Sequence, residues 1–511
     1  MSKVQELLKN AYENYCEEEH ISYQKEGSKI IKTFKDTVYD ILCLSYSLIH
    51  YDLLDKNILL IGKNSYEWIV SWTSIIGYVG VAIPIDNTWT LANLRNVLNQ
   101  LEISCIMYSK DYEDISVIEK EYQNIKYFCI EEDIPNLIME GKRVLDKQEN
   151  KFSFQEVNDE MACELKVESA ILKNVNFITH TPKNLLASFK YFNQRLPLTR
   201  EDKIYTYLQM SDSYVSIYAY LYSFYTGTKI YFGTEADMFE ELLEEKPTVF
   251  FGVPYDYMRI LESYGEENVE RLKKKISRNV NLTKFGIYRE KEKSFKSFHQ
   301  FLGGNMKYLV CYGNLSEKNI KKLYLDVGLK IQTLYGVSGA TSLISFEYYN
   351  DKEVFSSGKV LENMDIKIYE PNSMRYGEII IKGDNVTRCY YNNIQKTNEV
   401  FDYKGYFHTG DLGYIEKNNE LFLVGNTQNK IMLDNGKTIY SDELEKIFYD
   451  IDEFATVNIY ERKGVLNLNV VTNMEREKVD SIVMNINSEL PEYMRIKEIH
   501  VKKNRLSMEG R

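Results

Sequence analysis

The stretch "NILLIGKNSYEWIVSWTSIIGYVGVAIPID", residues 57–86, decides the fold class. Residues 57–64 are a short apolar run typical of a buried strand, and residues 65–78 show the pattern of a helix with Ser65 as its N-cap. Residues 80–86 form a second apolar run that predicts another strand. A strand, a helix and a strand in this order favour a parallel sheet with a crossover helix.

The same stretch contains an uncharged segment, residues 68–85, which resembles a membrane span at first sight. A span needs ~20 mostly apolar residues, and here Gly77, Gly80 and Pro84 interrupt the run. We therefore expect a buried helix that ends near Gly77, and no transmembrane segment. The chain starts with a charged stretch that lacks an apolar signal-peptide core, so we expect a cytoplasmic protein.

The alternation of strand and helix patterns continues along the chain. Residues 90–101 predict a helix capped by Thr90, and residues 105–109, 203–209, 228–233 and 248–254 predict strands with helices between them. After Gly358 the apolar runs become shorter and more alternating, which indicates an antiparallel sheet. The last part has strand and helix patterns of the size of a small α+β domain.

These patterns together predict an α/β protein with two domains. The large N-terminal domain, residues 1–425, has mostly parallel sheets flanked by helices and includes a small antiparallel subdomain at about 345–425. A small, mobile α+β domain, residues 426–511, follows as a cap.

Composition excludes several classes of function. Hydrophobic residues make up 44% and charged residues 27% of the 511 residues, which is typical of a globular protein. The formal net charge is -12 and no long basic stripe occurs, so a nucleic-acid partner is not expected. The seven cysteines are scattered and form no C-x-x-C pair, which favours free thiols in a reducing compartment.

Several separate stretches carry candidate chemistry. In "TLYGVSGATSLIS" (333–345), an aromatic residue and a glycine precede the small hydroxyl residue Ser338. In "GYFHTGDLGYI" (405–415), Asp411 lies on a bend that Gly410 permits, where a carboxylate suits a bidentate grip on two ribose hydroxyls. Two further stretches, "GEIIIKGDNVTRCYYNN" (377–393) and "GNTQNKIMLDNGKTIYSDELEKIF" (425–448), lie on either side of it.

In their order and spacing these stretches resemble the adenylate-forming superfamily, and most of all its long-chain acyl-CoA synthetases. The resemblance covers the chain from about Asn57 to Arg511. It implies a two-step reaction: a carboxylate attacks the α-phosphate of ATP, which gives an acyl-adenylate and pyrophosphate, and a thiol then takes the acyl group. It also implies that the C-terminal domain rotates between the two steps.

The resemblance assigns roles residue by residue. It places Gly313, Tyr335, Gly336, Ser338 and Asp411 in the nucleotide site, with the Tyr335 ring stacked on adenine, Ser338 at phosphate and Asp411 on the ribose. It also assigns the hinge to Asn426 and Gln428, the thiol or CoA tunnel to Gly436 and Lys437, and catalytic roles to Ser338 and to Arg511, which takes the place of the family lysine. His180 and His408 are interpreted as structural residues that flank motifs.

The chain departs from the family pattern at the positions that handle triphosphate. Residues 167–175, where the family has a phosphate loop rich in glycine, contain no glycine; a backbone nest for phosphate needs that freedom. Gly339 replaces the glutamate expected to hold Mg²⁺, a cation that prefers carboxylate oxygen. Asn426 replaces an arginine at the hinge, and Asp212 replaces a histidine common in the long-chain group.

Two interpretations therefore remain open from the sequence. One is an AMP-forming carboxylate ligase that uses ATP, a fatty or aryl acid, and coenzyme A or a separate carrier protein as acceptor. The other is a protein of the same fold that has lost the chemistry and acts in nucleotide or acyl binding or as a scaffold. The changed positions cast doubt on Mg²⁺ as a cofactor, whereas adenine and ribose contacts could still bind ATP or AMP.

Overall fold

The computed structural model describes residues 2–85, 87, 89, 91–148, 157–167, 175–278, 294–313, 318–348, 356–427, 430–432, 438–449, 451–462, 465–490 and 495–503. The strands within these ranges are β1 (Glu19–Lys25), β2 (Ser28–Thr33), β3 (Asn57–Ile61), β4 (Val81–Ile85), β5 (Cys105–Tyr108), β6 (Lys126–Cys129), β7 (Glu164–Val167), β8 (Phe177–His180), β9 (Lys203–Thr206), β10 (Lys229–Phe232), β11 (Val249–Gly252), β12 (Tyr308–Tyr312), β13 (Ile331–Tyr335), β14 (Ser345–Phe346), β15 (Lys359–Val360), β16 (Met364–Tyr369), β17 (Gly377–Gly383), β18 (Phe407–Ile415), β19 (Leu421–Asn426), β20 (Lys430–Met432), β21 (Thr438–Tyr440), β22 (Phe454–Arg462), β23 (Val465–Thr472) and β24 (Ile496–Lys502).

Helices connect most of these strands. The α-helices span Lys3–Tyr15, Phe34–His50, Tyr66–Ser74, Leu91–Leu98, Ile115–Glu121, Asp133–Leu145, Pro182–Leu186, Phe189–Arg195, Ser213–Val215, Tyr222–Thr226, Met238–Glu245, Pro254–Tyr264, Glu266–Arg278, Lys296–Phe301, Lys318–Val327, Ile394–Val400, Ser441–Tyr449 and Arg476–Glu489. Ile75–Val79 and Ser216–Leu221 are π-helical, and Asp146–Gln148 and Ser338–Ala340 are short 3₁₀ turns.

Two large sheets form the body of the protein. One has the order β15-β14-β13-β12-β11-β9-β10-β1-β2, and its central run from β13 to β1 is parallel. The other has the order β6-β5-β3-β4-β7-β8 and is parallel except for the β7–β8 pair. The predicted α/β fold with mostly parallel sheets is thereby confirmed.

The deciding stretch folds as predicted, with one difference at its helix. β3 pairs in parallel with β4, and the Ser65 hydroxyl accepts a 3.0 Å hydrogen bond from the backbone N–H of Trp68 as the N-cap. The helix does not end near Gly77, because a π-helical turn carries it to Val79 before Gly80. Gly80 lies so close to the backbone of Lys56 that a Cβ there would overlap it, so only glycine fits between helix and strand.

The sequence patterns missed the N-terminal part of the body. β1 and β2 form an antiparallel hairpin, and β1 adds the hairpin to the nine-stranded sheet through parallel pairing with β10. The hairpin is hard to detect because β2 has no buried residue, so its pattern lacks an apolar face.

The largest hydrophobic core lies between the two body sheets, where helices from both halves meet. Trp68 and Trp72 are fully buried, and the Thr73 hydroxyl donates a 3.0 Å hydrogen bond to the hydroxyl of Tyr220 from the second π-helical turn. A buried polar side chain needs such a partner, so the contact fixes how the two helices face each other.

Smaller sheets follow the body in the chain. β16, β17, β18 and β19 form an antiparallel sheet, as predicted after Gly358. β22, β23 and β24 form the sheet of the C-terminal α+β unit, and the Lys446 ammonium connects that unit to β19 by a 2.6 Å hydrogen bond to the carbonyl of Val424. The predicted domain boundary, 425/426, falls at the end of β19 and stays a prediction.

Two expectations concern the chain as a whole. All seven cysteines lie within the described residues and are free thiols. In the part of the chain that the structure describes, no helix combines the length and the apolar character needed to cross a bilayer.

Candidate active site

Tyr335 and Asp411, the two residues predicted to hold adenine and ribose, are in direct contact. The Tyr335 hydroxyl donates a 2.6 Å hydrogen bond to Oδ2 of Asp411, which is 76 residues away in the chain. Tyr335 ends β13 and is 8% exposed, and Asp411 lies in β18 and is half-buried. Burial, and then the charge of Asp411, raise the pKa of Tyr335 well above its usual value, so its hydroxyl is the donor.

A tight turn follows Tyr335 and contains the other residues of the predicted phosphate side. A Cβ on Gly336 would overlap the carbonyl group of Ser342, so the chain crosses itself closely here. The turn closes with a 2.7 Å hydrogen bond from Ile344 N–H to the Tyr335 carbonyl. Ser338 begins the 3₁₀ turn and is half-buried.

The bend that presents Asp411 is held by its own strand neighbours. Gly410 has φ +74°, a left-handed conformation that favours glycine. Its N–H donates a 3.0 Å hydrogen bond to Oε1 of Glu378, and Nδ1 of His408 lies 2.8 Å from Oε2 of the same carboxylate. The Thr409 hydroxyl accepts a 3.0 Å hydrogen bond from the Asp411 N–H. These contacts hold the backbone at Asp411, and the structural role of His408 stays a prediction.

Gly339, at the predicted metal-ligand position, packs against an aromatic ring. It is buried, and a Cβ built on it would lie 2.5 Å from Cζ of Phe407. Position 339 therefore has no carboxylate, and the Phe407 ring fills the space that the Cβ atom of any other residue would occupy. Among the described residues, no group of three or more His, Cys, Asp or Glu side chains could hold a metal ion. The residues present at this position do not fit Mg²⁺.

Two further predicted site residues lie on, or directly after, strands next to those of Tyr335 and Asp411. Gly313 directly follows β12, the parallel neighbour of β13, so it lies at the same sheet edge as Tyr335. Its φ of +99° requires glycine. Asn426 is the strand partner of Asp411 across β18 and β19. The carboxyl ends of parallel strands are the usual place for a ligand in such sheets.

The remaining predicted site residues cannot be placed. Gln428, Gly436, Lys437 and Arg511 lie outside the described residues, and so does most of the predicted phosphate loop, residues 168–174. The strands on either side of that loop, β7 and β8, are described and pair antiparallel. Asp212 is the N-cap of the helix Ser213–Val215, where its side chain accepts a 2.9 Å hydrogen bond from Tyr214 N–H.

Sequence reasoning missed the partner of His180. Nδ1 of His180 lies 2.8 Å from Oε2 of Glu164, and Nε2 lies 2.9 Å from the carbonyl oxygen of Ser338. No motif or spacing in the sequence pairs Glu164 with His180, because the contact depends on the register of β7 and β8. That register puts Glu164 directly opposite His180.

The chain is similar in sequence to known enzymes. The family model for AMP-binding enzymes matches residues 177–391. Long-chain-fatty-acid–CoA ligase 5 of Rattus norvegicus is 23% identical over 436 residues, 77% of this chain and 63% of that protein. Long-chain-fatty-acid–CoA ligase ACSBG2 of Xenopus laevis is 23% identical over 421 residues, 74% of this chain and 57% of that protein. The chain thus spans less than two thirds of the length of these relatives.

Solved structures share the whole architecture. The ATP-bound MatB of Rhodopseudomonas palustris has a TM-score of 0.79 at 15% identity, covering 98% of this chain and 95% of that chain. The O-succinylbenzoate coenzyme A synthetase MenE of Bacillus subtilis in complex with AMP has a TM-score of 0.75 at 15% identity, covering 97% and 94%. The fold is that of the adenylate-forming proteins.

The family match, the relatives and the fold agree with one another. All three support the AMP-binding, adenylate-forming superfamily, whose family model covers residues 177–391 of the chain.

Proposed function

We propose that this protein is an AMP-forming carboxylate–thiol ligase of the acyl-CoA synthetase type. In the first step a carboxylate attacks the α-phosphate of ATP and releases pyrophosphate; in the second a thiol attacks the acyl-adenylate carbonyl and releases AMP. The observation that supports the proposal is the contact between Tyr335 and Asp411, since the aromatic ring and the carboxylate that we assign to adenine and ribose lie side by side. The names of the relatives, which are fatty-acid–CoA ligases, support this reaction class.

The residues around Tyr335 and Asp411 suit the AMP portion of the ligand. The Tyr335 ring forms the wall for adenine, and Gly313 and Gly336 allow the backbone to come close. Asp411 accepts hydrogen bonds from the two ribose hydroxyls, which are charge-assisted and therefore strong. The Ser338 hydroxyl lies on the turn that faces phosphate.

The second half-reaction belongs to the C-terminal part. We assign the hinge to Asn426 and Gln428, at a domain division between residues 425 and 426. Gly436 and Lys437 line the thiol tunnel. Arg511, at the other end of the same part, neutralises charge in the first half-reaction.

The substrates follow from the reaction class. The acid is fatty or aryl, the acceptor is coenzyme A or a carrier protein, and the protein acts in the cytoplasm.

Pyrophosphate exchange tests this proposal. Wild-type protein is incubated with ATP, labelled pyrophosphate and a panel of fatty and aryl acids, and Asp411→Asn is the matched variant. We expect acid-dependent exchange that falls about 10–100-fold in the variant, the loss expected for one charge-assisted contact. A panel that gives neither exchange nor hydroxamate at high protein concentration refutes the ligase.

A second candidate function rests on Gly339. Because the Phe407 ring packs on this glycine, the site lacks the carboxylate that would hold Mg²⁺ and the space for one. Loss of a single preorganised electrostatic contact typically costs roughly 10²–10³ in rate. The alternative is therefore a binding or scaffold protein that keeps the adenosine contacts and has lost turnover.

Calorimetric titration separates the two candidates. The binding protein is expected to bind AMP with the same affinity in Mg²⁺ and in EDTA, and to show no exchange with any acid. Robust wild-type turnover overturns this alternative, and failure to bind ATP or AMP overturns both candidates.

A further inference from the structure

A buried row of polar side chains runs from the interior of the body to the turn after Tyr335. The Trp72 indole N–H donates a 3.1 Å hydrogen bond to Oε1 of Glu164, and Oε2 of Glu164 lies 2.8 Å from Nδ1 of His180. Nε2 of His180 lies 2.9 Å from the carbonyl oxygen of Ser338. Glu164 is 1% and His180 0% exposed, so no bulk water replaces these contacts.

The chemistry of the four groups fixes where the protons are. The carbonyl of Ser338 only accepts, so Nε2 of His180 must carry a hydrogen. Nδ1 then faces a carboxylate oxygen, and a hydrogen lies between them as well. Burial alone would raise the pKa of Glu164, but the hydrogen bond and charge of His180 outweigh it and lower that pKa.

Three other carbonyls of the same turn, those of Gly339, Ala340 and Leu343, are held by a different segment. The Thr387 N–H donates a 2.8 Å hydrogen bond to the Gly339 carbonyl, and the Asn385 side-chain amide donates to the carbonyls of Ala340, at 3.1 Å, and Leu343, at 2.7 Å. His180 alone among these donors belongs to the β7–β8 hairpin, which flanks the predicted phosphate loop.

We infer that Glu164 and His180 are a positioning pair: Glu164 fixes the His180 ring, and His180 holds the Ser338 carbonyl so that the turn at 335–343 keeps the arrangement needed beside phosphate. Neither residue touches the ligand. The pair connects the hairpin of the predicted phosphate loop to the turn of the adenine wall. The phosphate part of this inference rests on the proposed function, whereas the rigidity of the turn does not.

Amide hydrogen exchange of the ligand-free protein, followed by mass spectrometry, tests the inference first. His180→Phe removes the side-chain donor to the Ser338 carbonyl, which also accepts a 3.3 Å hydrogen bond from the Thr341 N–H. The variant is expected to accelerate exchange in peptides covering 337–343 about tenfold, as for the loss of one hydrogen bond. Phe177→Leu is the matched control, because Phe177 is a buried apolar residue of the same strand that packs in a different hydrophobic cluster from the turn. Equal exchange at 337–343 in both variants overturns the inference.

If His180→Phe does not fold, two variants of Glu164 test the same positioning role. In Glu164→Gln the amide can still donate to Nδ1 and accept from Trp72, so exchange at 337–343 should stay close to wild type. In Glu164→Leu the ring loses its partner, and exchange should accelerate. Equal rates in the two variants contradict a positioning role.

Ligand titrations then separate this inference from the proposed function. His180→Phe should weaken AMP binding about tenfold and leave adenosine binding within about twofold, because only AMP brings a phosphate to the turn. An equal loss for both ligands contradicts the phosphate part of the inference. A wild-type protein that binds neither ligand refutes the proposed function, while the exchange result still decides whether the pair holds the turn.

Discussion

The Tyr335 hydroxyl donates a 2.6 Å hydrogen bond to Oδ2 of Asp411 in the ligand-free protein. The two side chains are thus hydrogen-bonded to each other at the place that we assign to adenosine. A ribose that hydrogen-bonds to Asp411 must share or displace the tyrosine hydroxyl, so ligand affinity contains the cost of that exchange. Two substitutions separate the two sides of this competition.

Asp411→Asn should weaken AMP binding about 10–100-fold, because a charge-assisted hydrogen bond contributes about 1.5–3 kcal/mol. Isothermal titration calorimetry measures the dissociation constant. Glu416→Gln is the control, since Glu416 is an exposed carboxylate just beyond the same strand. An Asp411→Asn protein that binds AMP as well as wild type would remove the ribose role.

Tyr335→Phe should strengthen AMP binding about 2–10-fold. The ring remains as the wall for adenine, while the hydroxyl that competes for Asp411 is gone, and a hydrogen bond of this kind is worth roughly 0.5–1.5 kcal/mol net. The same calorimetric titration applies, and Tyr335→Leu shows the effect of losing the ring. Weaker binding by Tyr335→Phe would mean that the hydroxyl contacts the ligand itself.

Gly339→Glu should destabilise the protein by about 1–3 kcal/mol, because the new side chain overlaps the Phe407 ring. The double variant Gly339→Glu/Phe407→Leu should recover part of this loss, since the two residues share one space. Thermal unfolding of the two single variants and the double variant gives the coupling. Strict additivity would show that the ring is not the obstacle.

Gly336→Ala should destabilise the protein by about 3 kcal/mol, because the Cβ meets the Ser342 backbone, which cannot rotate away. Gly77→Ala is the control: it is also buried, but its Cβ would lie 3.4 Å from Val4, at ordinary contact distance. Urea unfolding compares the two. Similar stabilities of the two variants would contradict the close crossing after Tyr335.

His20 should make the protein less stable in acid. The buried ring stacks on Phe34, and burial lowers the pKa of His20 to about 3. The unfolded chain binds a proton near pH 6.5, whereas the folded protein does so only near 3. The free energy of unfolding therefore falls as the pH drops from 6.5 towards 3, by up to about 1.4 kcal/mol per pH unit.

The variant His20→Gln should lose this contribution to the pH dependence. Urea unfolding between pH 4 and 7 measures the slope, with Phe34→Leu as a control that changes packing without a titrating group. Identical slopes in His20→Gln and wild type would show that the ring takes up its proton at the same pH in the folded and the unfolded protein.

The fold could be predicted because the strand and helix periods of residues 57–86 and of the following alternation are strong. The hairpin of β1 and β2 was not predictable, since β2 lacks a buried face. At the site, the order of motifs was enough to single out Tyr335 and Asp411, which the structure brings together. The contact of Gly339 with Phe407 and that of Glu164 with His180 depend on strand register and packing, which no local pattern encodes.

The contact between Gly339 and Phe407 also limits how this protein can change over evolutionary time. A single mutation that introduces a carboxylate at 339 meets the ring and lowers stability, and shrinking the ring first leaves a cavity in the core beneath it. Either order passes through a less stable intermediate. Introducing a carboxylate at 339 therefore needs two changes, each of which lowers stability when it is made alone.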